Sequence, residues 1–400
     1  MNKLFSLAVV ASLATMPAMA MNNEPEGTPK EKKTVDFASD ENLEAGFVTE
    51  ALNNAIENTW ESDNDQDKPK LGPSLTQFAS APKFGGFFVG KYAYSDKDGD
   101  HNGTGFSQRV IRAYVDGTIL KDFAYRIQVQ TNNQAFHMKD FFVEWRKYKE
   151  FYVKVGQFKR AFGFENPMNP WDVGYGDYSQ MTKKLTGHND FIGAESGSNG
   201  GRDQGIQIQG DLFPAKDGHR YVHYQLMLSN GQGINTADAN SHKDVTGTLQ
   251  IQPIKGVTLG VFGWTGDFTS NGVTVNRNRY IIGAKVEQNG WVLRTEYGHS
   301  TGHKIADYNA ETKTWKGTGR ADAMYATLGV PVAPWLKIFF TYDNYRDNGQ
   351  WNTAKTIYSI TPNIRLHKNL MFQLQYNYNH DRNLANRNYN EIWAETYVRF

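Results

Sequence analysis

Asn390-Glu-Ile-Trp-Ala-Glu-Thr-Tyr-Val-Arg-Phe400 alternates without a break: Ile392, Ala394, Thr396, Val398 and Phe400 share one face, and Trp393, Glu395, Tyr397 and Arg399 share the other. Period two is the side-chain repeat of a β-strand, and an apolar face set against a polar one is how a strand between lipid and water reads. A chain that ends mid-strand on an aromatic residue points to a closed barrel, in which Phe400 closes the last strand against the first. Arg399 must then point inward.

The same alternation recurs upstream. Phe123, Tyr125, Ile127 and Val129 alternate with Ala124, Arg126, Gln128 and Gln130, and Leu370, Phe372, Leu374, Tyr376 and Tyr378 alternate with Gln373, Gln375, Asn377 and Asn379. A slip of one residue would turn Arg126 toward lipid, at about 2 to 4 kcal/mol near the midplane, so the register is set by energy. Sixteen such runs begin near residues 84, 106, 123, 138, 151, 202, 221, 244, 257, 277, 291, 321, 335, 355, 370 and 390. Short links, among them Lys147 to Glu150, Asn289-Gly290 and Leu366 to Asn369, rotate with long ones such as 95–105, 159–201, 231–243, 301–319 and 346–354. The expected fold class is therefore all-β, a sixteen-stranded antiparallel transmembrane barrel with short periplasmic turns, long outer loops and an open lumen. The negative mean hydropathy fits, because only every second strand residue meets lipid.

The N-terminal part reads differently. Residues 1–20 carry Lys3, an apolar run from Leu4 to Leu13 and Ala18-Met19-Ala20, the pattern of a cleaved signal peptide. Residues 21–82 hold thirteen Asp and Glu against five Lys and Arg and show almost no strand pattern. Leu43, Phe47, Ala51, Leu52, Ile56 and Trp60 recur at helical spacing behind Ser39-Asp40, which predicts an amphipathic helix over 41–60 in an acidic periplasmic leader. The barrel is assigned to 83–400. With no cysteine in the chain, a hydrogen-bonded architecture has to hold it together without disulfides.

The link from Lys159 to Gly201 is far longer than the rest. Loops of that length are functional or disordered, and one rich in aromatics is a poor candidate for disorder. It is expected to enter the lumen and form the constriction with Trp171, Tyr175, Tyr178, Lys183 and Lys184, rather than pack as a lid over the mouth. Alternation places Arg112, Arg126, Arg146, Lys154, Arg279, Lys285, Arg294 and Lys337 in the lumen, opposed by Asp116, Glu144, Glu287 and Glu296. The leader's acidity leaves the barrel positively charged. A basic lining in a low-dielectric constriction concentrates anions, with Arg112 and Arg126 as the foremost contacts. Strict alternation sets Arg109 on the outer face with Ile111 and Ala113, snorkelling to headgroup phosphates.

Val155-Gly-Gln-Phe-Lys-Arg-Ala-Phe-Gly-Phe-Glu-Asn166, Gly117-Thr-Ile-Leu-Lys-Asp-Phe123, Gly201-Arg-Asp-Gln-Gly-Ile-Gln-Ile-Gln-Gly210 and Asn230-Gly-Gln-Gly-Ile-Asn235 resemble the phosphate-selective porin O and P family. The resemblance is clearest from about 106 to 235. It implies a sixteen-stranded porin of the Gram-negative outer membrane, a homotrimer whose third loop narrows the pore and whose basic lumen passes small anionic solutes, phosphate among them. The family's arginine-rich second strand is only partly present, with Arg109 and Arg112 flanking Val110. The partners expected are small anionic solutes and outer-membrane lipid, and no nucleic acid. The alternatives are a non-selective general porin and a binding channel for oligosaccharides, in which Trp171, Tyr175 and Tyr178 would form a stacking track.

No enzymatic activity, cofactor or metal site is expected. His-Glu-x-x-His, Walker and Gly-x-Ser-x-Gly patterns are missing, and Glu195-Ser196-Gly197 lacks a strand-to-helix elbow. Asp96-Lys-Asp-Gly-Asp-His-Asn-Gly103 has the flavour of a calcium loop, but the twelfth position from Asp98 is Arg109 rather than a bidentate Glu, so it reads as turn chemistry. His299 and His303 are read as exposed.

Overall fold

The computed structural model describes residues 80–99, 104–131, 136–188, 190, 192 and 200–400. The signal peptide and the helix expected over 41–60 lie outside the described residues. The strands are β1 (Lys83–Ser95), β2 (Gly105–Ile119), β3 (Phe123–Thr131), β4 (Phe136–Tyr148), β5 (Phe151–Lys159) and β6 (Arg202–Pro214). Next come β7 (Arg220–Ser229), β8 (Asp244–Ile254), β9 (Val257–Ser270), β10 (Val273–Gln288) and β11 (Trp291–Thr301). After a small ribbon of β12 (Tyr308–Asn309) and β13 (Thr314–Trp315) the wall continues with β14 (Arg320–Ala333), β15 (Leu336–Asp347), β16 (Ala354–His367), β17 (Leu370–Asp381) and β18 (Asn388–Arg399). Leaving the ribbon aside, sixteen antiparallel strands close into one barrel, each paired with its sequence neighbour and β18 paired with β1. Phe400 sits at that seam, where it and Gly86 exchange both backbone N–H···O bonds at 3.0 Å.

The barrel is inside out relative to a soluble protein. Along β17 the exposed residues are Phe372, Leu374, Tyr376 and Tyr378, while Gln373, Gln375, Asn377 and Asn379 between them are buried. Exposed apolar residues in register around a closed barrel form the surface that lipid covers. Tyr342, Tyr358 and Tyr378 on three adjacent strands lie ring to ring at 5.5 and 6.4 Å, part of an aromatic girdle toward the loop end.

Two features break the expected pattern. The rotation of short and long links fails at β9–β10, whose loop-side connection is only Asn271-Gly272, with φ of 51° and 74°. Both residues are left-handed, as a two-residue hairpin needs to match the strand twist, and Asn-Gly is the pair that tolerates it. The second feature is a pair of β-bulges. On β2, Val110 faces Val89 and Gln108 faces Gly90, which leaves Arg109 as an extra residue. On β4, Asp140 faces Gln128 and Met138 faces Val129, which leaves Lys139 extra. A bulge resets the alternation and re-aims its side chain. Both extra residues are cations, and both turn inward.

The packed core lies in the lumen rather than in the wall. Phe162, Phe164, Met181, Leu185 and Ile192 from the β5–β6 loop pack on Phe262, Trp264, Ile281 and Tyr325 of the wall. Each such side chain contributes about 1.5 to 3 kcal/mol through burial, so the loop belongs to the fold and does not hang from it.

Candidate functional site in the barrel lumen

The β5–β6 loop crosses from β5 to the far wall. Phe162 meets Trp264 and Phe164 meets Phe262 edge-on, at 5.5 and 5.2 Å. The Phe164 N–H donates to Glu296 on β11 at 2.7 Å. Trp171 stands perpendicular to Tyr397 of β18 at 5.8 Å, the Gly174 carbonyl accepts from Asn363 of β16 at 2.9 Å, and the Gly176 N–H donates to Gln375 of β17. A short helix α1 (Gln180–Leu185), capped by Ser179, follows. Its first N–H reaches Asp343 on β15 at 2.8 Å, and the Leu185 carbonyl accepts from Arg279 on β10. The expected entry into the lumen is met, since these anchors fix the loop's middle against β9–β11 and β14–β18.

Two of the aromatics proposed as a stacking track are unavailable for one. Trp171 is 3% exposed, wedged between Tyr397 and the Arg399 guanidinium, and Tyr175 is 4% exposed, its hydroxyl bonded to Glu165. Burial, reinforced by Glu165, pushes the Tyr175 hydroxyl well above its usual range. Tyr178 is half-buried, donating to the Met168 carbonyl at 2.7 Å and edging onto His188 at 5.0 Å. Lys183 pairs with Asp177 at 2.6 Å. Burial would raise the Asp177 carboxyl, but Lys183 and Arg109 hold it well below the usual carboxylate range. Burial lowers the Lys184 amine, and the like charges of Lys304, Lys183 and Lys355 lower it further.

Of the basic residues that alternation assigns to the lumen, Arg126, Lys154 and Lys285 are each matched by a wall carboxylate. Arg126 forms a two-pronged pair with Asp116 at 2.8 and 2.9 Å. Lys154 lies 3.2 Å from Glu144, and Lys285 lies 3.5 Å from Glu287. Arg112 donates twice to Gln130 at 3.1 and 2.7 Å, over the Phe87 ring. Arg146 is half-buried on β4, and Lys337 lies 6.0 Å above the Phe339 ring. Arg294 is 1% exposed, 3.5 Å from the Val173 carbonyl, and Arg279 is salt-bridged to Asp190 at 2.8 Å. Both of these lie beneath the loop and hold it.

Strict alternation misplaced Arg109 and missed Lys139, for one reason. Arg109 does not snorkel at the outer rim: the bulge at Val89/Gly90 swings it inward, where it bonds Glu395 at 3.0 Å, Tyr397 at 2.9 Å and Asp177 at 3.3 Å. Lys139 is 2% exposed, and its charged neighbours include Arg202, Arg112 and Lys159. Asp140, the carboxylate next to it in the strand, is gripped by Arg202 at 2.7 and 2.8 Å and by Gln128 at 2.5 Å. Lys159 donates to the carbonyls of Pro167 and Met168 at 3.1 and 2.5 Å. Basic side chains from β2, β4, β5 and β6 thus converge beside Asp140, which is already engaged. Among the described residues the Lys139 Nζ has no hydrogen-bond acceptor. Lys159 and Arg202 stand in two of the segments that carry the family resemblance, but at strand ends, where alternation says least.

The other patterns resolve as local structure. Asp96 accepts from the Asn390 N–H and side chain at 2.5 and 2.8 Å, and Asp98 accepts from Asn386 at 2.9 Å, so these carboxylates tie neighbouring loops together. His299 and His303 are half-buried rather than exposed: His299 bonds Asp322 at 2.6 Å and His303 stacks on Trp315 at 5.0 Å.

A closed barrel with an apolar exterior, a charged lumen and an inward-folded third long loop defines a diffusion channel of the porin class. The chain belongs to the phosphate-selective porin O and P family, whose model matches residues 86–326. Its place is therefore the outer membrane of a Gram-negative bacterium. Among solved structures it is similar to an anion-selective porin from Comamonas acidovorans, with a TM-score of 0.60 and 12% identity over 80% of this chain and 100% of that one. It is also similar to the outer membrane channel DcaP of Acinetobacter baumannii, with a TM-score of 0.57 and 12% identity over 84% and 99% of the two chains. The trimer form of the outer membrane protein OmpT of Vibrio cholerae matches with a TM-score of 0.54 and 10% identity over 81% of this chain and 100% of that one. No curated protein sequence matches the chain.

Proposed function

We propose that this porin is a passive channel that prefers small anions, phosphate among them, and that it holds them transiently at the Lys139 cluster. The observation that carries the reading is the convergence of Arg112, Lys159 and Arg202 on the almost wholly buried Lys139 side chain, beside an Asp140 carboxylate that Arg202 already engages. Like charges crowded into a low-dielectric site repel one another, and an anion arriving in the lumen relieves that repulsion. The pairs Arg126–Asp116 and Lys154–Glu144 keep most of the remaining lining near neutral, so the excess positive charge is concentrated where the loop narrows the path. A site of this kind attracts anions, and its open lumen lets them leave.

The anion-selective porin from Comamonas acidovorans shares the fold, which supports the same preference here. The trimer form of Vibrio cholerae OmpT supports assembly as a homotrimer. The family and the fold support passage of solutes through the lumen. Phosphate added to a chloride current through a planar bilayer is expected to reduce the current in a saturable way, and Lys139→Gln is expected to abolish that block. A current indifferent to phosphate in the wild-type channel would remove the binding-site reading.

A further inference from the structure

The guanidinium of Arg109 is placed unlike the other lumen cations. Its Nη1 donates to the Glu395 carboxylate at 3.0 Å and the Tyr397 hydroxyl at 2.9 Å, both on β18, while its Nη2 donates to Asp177 at 3.3 Å. Asp177 belongs to the loop, one residue after Gly176 is tied to Gln375 and three before α1 begins. Its second oxygen takes Lys183 from the first turn and a half of α1 at 2.6 Å, and its first also accepts the Tyr178 N–H at 2.8 Å. On the wall side Glu395 is shared with Lys91 at 3.9 Å, and Lys91 lies 3.3 Å above the Trp393 ring. Wall, bulge and loop are therefore linked through one planar fork.

We propose that Arg109 is a positioning residue: with Asp177 and Lys183 it forms a clasp that holds the loop's edge against β18 and fixes the width of the constriction. The proposal rests on reading the lumen as a solute path, and not on the sign of the ion preferred. Three observations carry it. The bulge exists at the one position that brings residue 109 inward, and without it the side chain would face outward. The donors of Arg109 are directed at three oxygens on two elements, whereas a solute contact would present them to the water path. Asp177 is the point at which the loop turns from its β16–β17 anchors into α1, so its position governs where Lys183 and Lys184 stand. Each ion pair alone is a partly exposed contact of modest strength, but Arg109 is already fixed by Glu395 and Tyr397, so little ordering is needed to capture Asp177.

The charge-conserving variant separates the two roles Arg109 could have. Arg109→Lys keeps the positive charge but cannot reach β18 and the loop together, because an ammonium lacks the fork. Single-channel conductance and zero-current potential in a KCl gradient are measured for the wild type, Arg109→Lys and Asp177→Asn. Both variants are expected to raise conductance, by roughly 1.5- to 2-fold as the constriction widens, with a noisier open level, while Arg109→Lys leaves the zero-current potential in place. Unchanged conductance in both would overturn the clasp, and so would a shifted potential at unchanged conductance in Arg109→Lys, which would make Arg109 a solute-facing charge. If Arg109→Lys does not insert, Asp177→Asn, which lies outside the strands, decides the conductance question. A wild-type channel without anion preference would count against the proposed selectivity and leave the conductance test standing.

Discussion

At the scale of single residues, a cation in this lumen acts according to what already holds it. Arg126 was the leading anion contact on alternation alone, yet it is fully engaged by Asp116. Removing it exposes a carboxylate and so adds a negative charge to the path. Arg126→Ala is therefore expected to lower anion preference, and the double variant Arg126→Ala/Asp116→Asn to restore it, read as zero-current potentials in a mutant cycle. Two independent, additive effects would show that Arg126 meets the solute directly. Arg126, Lys154 and Lys285 were legible because period two assigns a face to every residue of an unbroken strand. Lys139 and Arg109 were not, because a bulge adds one residue and reverses the phase without leaving a composition signal.

The element that sets the chemistry is the long loop, and its length and aromatics were readable as a constriction. Its anchors were not, since they are backbone groups meeting carboxylates and amides from four distant strands, a pattern that no local spacing records. One residue within it is sensitive to acid. His188 is buried, bonded to Asn166 at 2.9 Å, and burial together with Lys159 and Arg202 keeps its imidazole well below the usual titration range. The folded state resists protonation there, so below the unfolded pKa of about 6.5 the unfolded chain binds the proton first. Stability is then lost as pH falls from that point toward the lowered folded value, by at most about 1.4 kcal/mol per pH unit. Thermal unfolding at pH 7 and pH 5 is expected to show a drop that His188→Gln diminishes. An equal drop in the variant would assign the acid sensitivity to other groups. The Asn271-Gly272 hairpin belongs to this scale as well: its turn signal was present in the sequence, but the rule of alternating link lengths overrode it.

For the whole molecule, the closing strand carried more information than any other segment. Its alternation fixed which face meets lipid, and Phe400 does close the wall against Gly86. The strand count followed from the same period, because a barrel repeats one local rule around its circumference. Function was less legible, since selectivity depends on where charges remain uncompensated after folding, and that is a property of pairs across strands. The central claim is that the basic cluster of Arg112, Lys139, Lys159 and Arg202, beside the inward-folded loop, makes the pore prefer anions. The zero-current potential across a KCl gradient tests it most directly. The wild-type channel is expected to give the sign of chloride preference and Lys139→Gln a potential displaced toward zero, whereas a wild-type potential at zero or of the potassium sign would contradict the account.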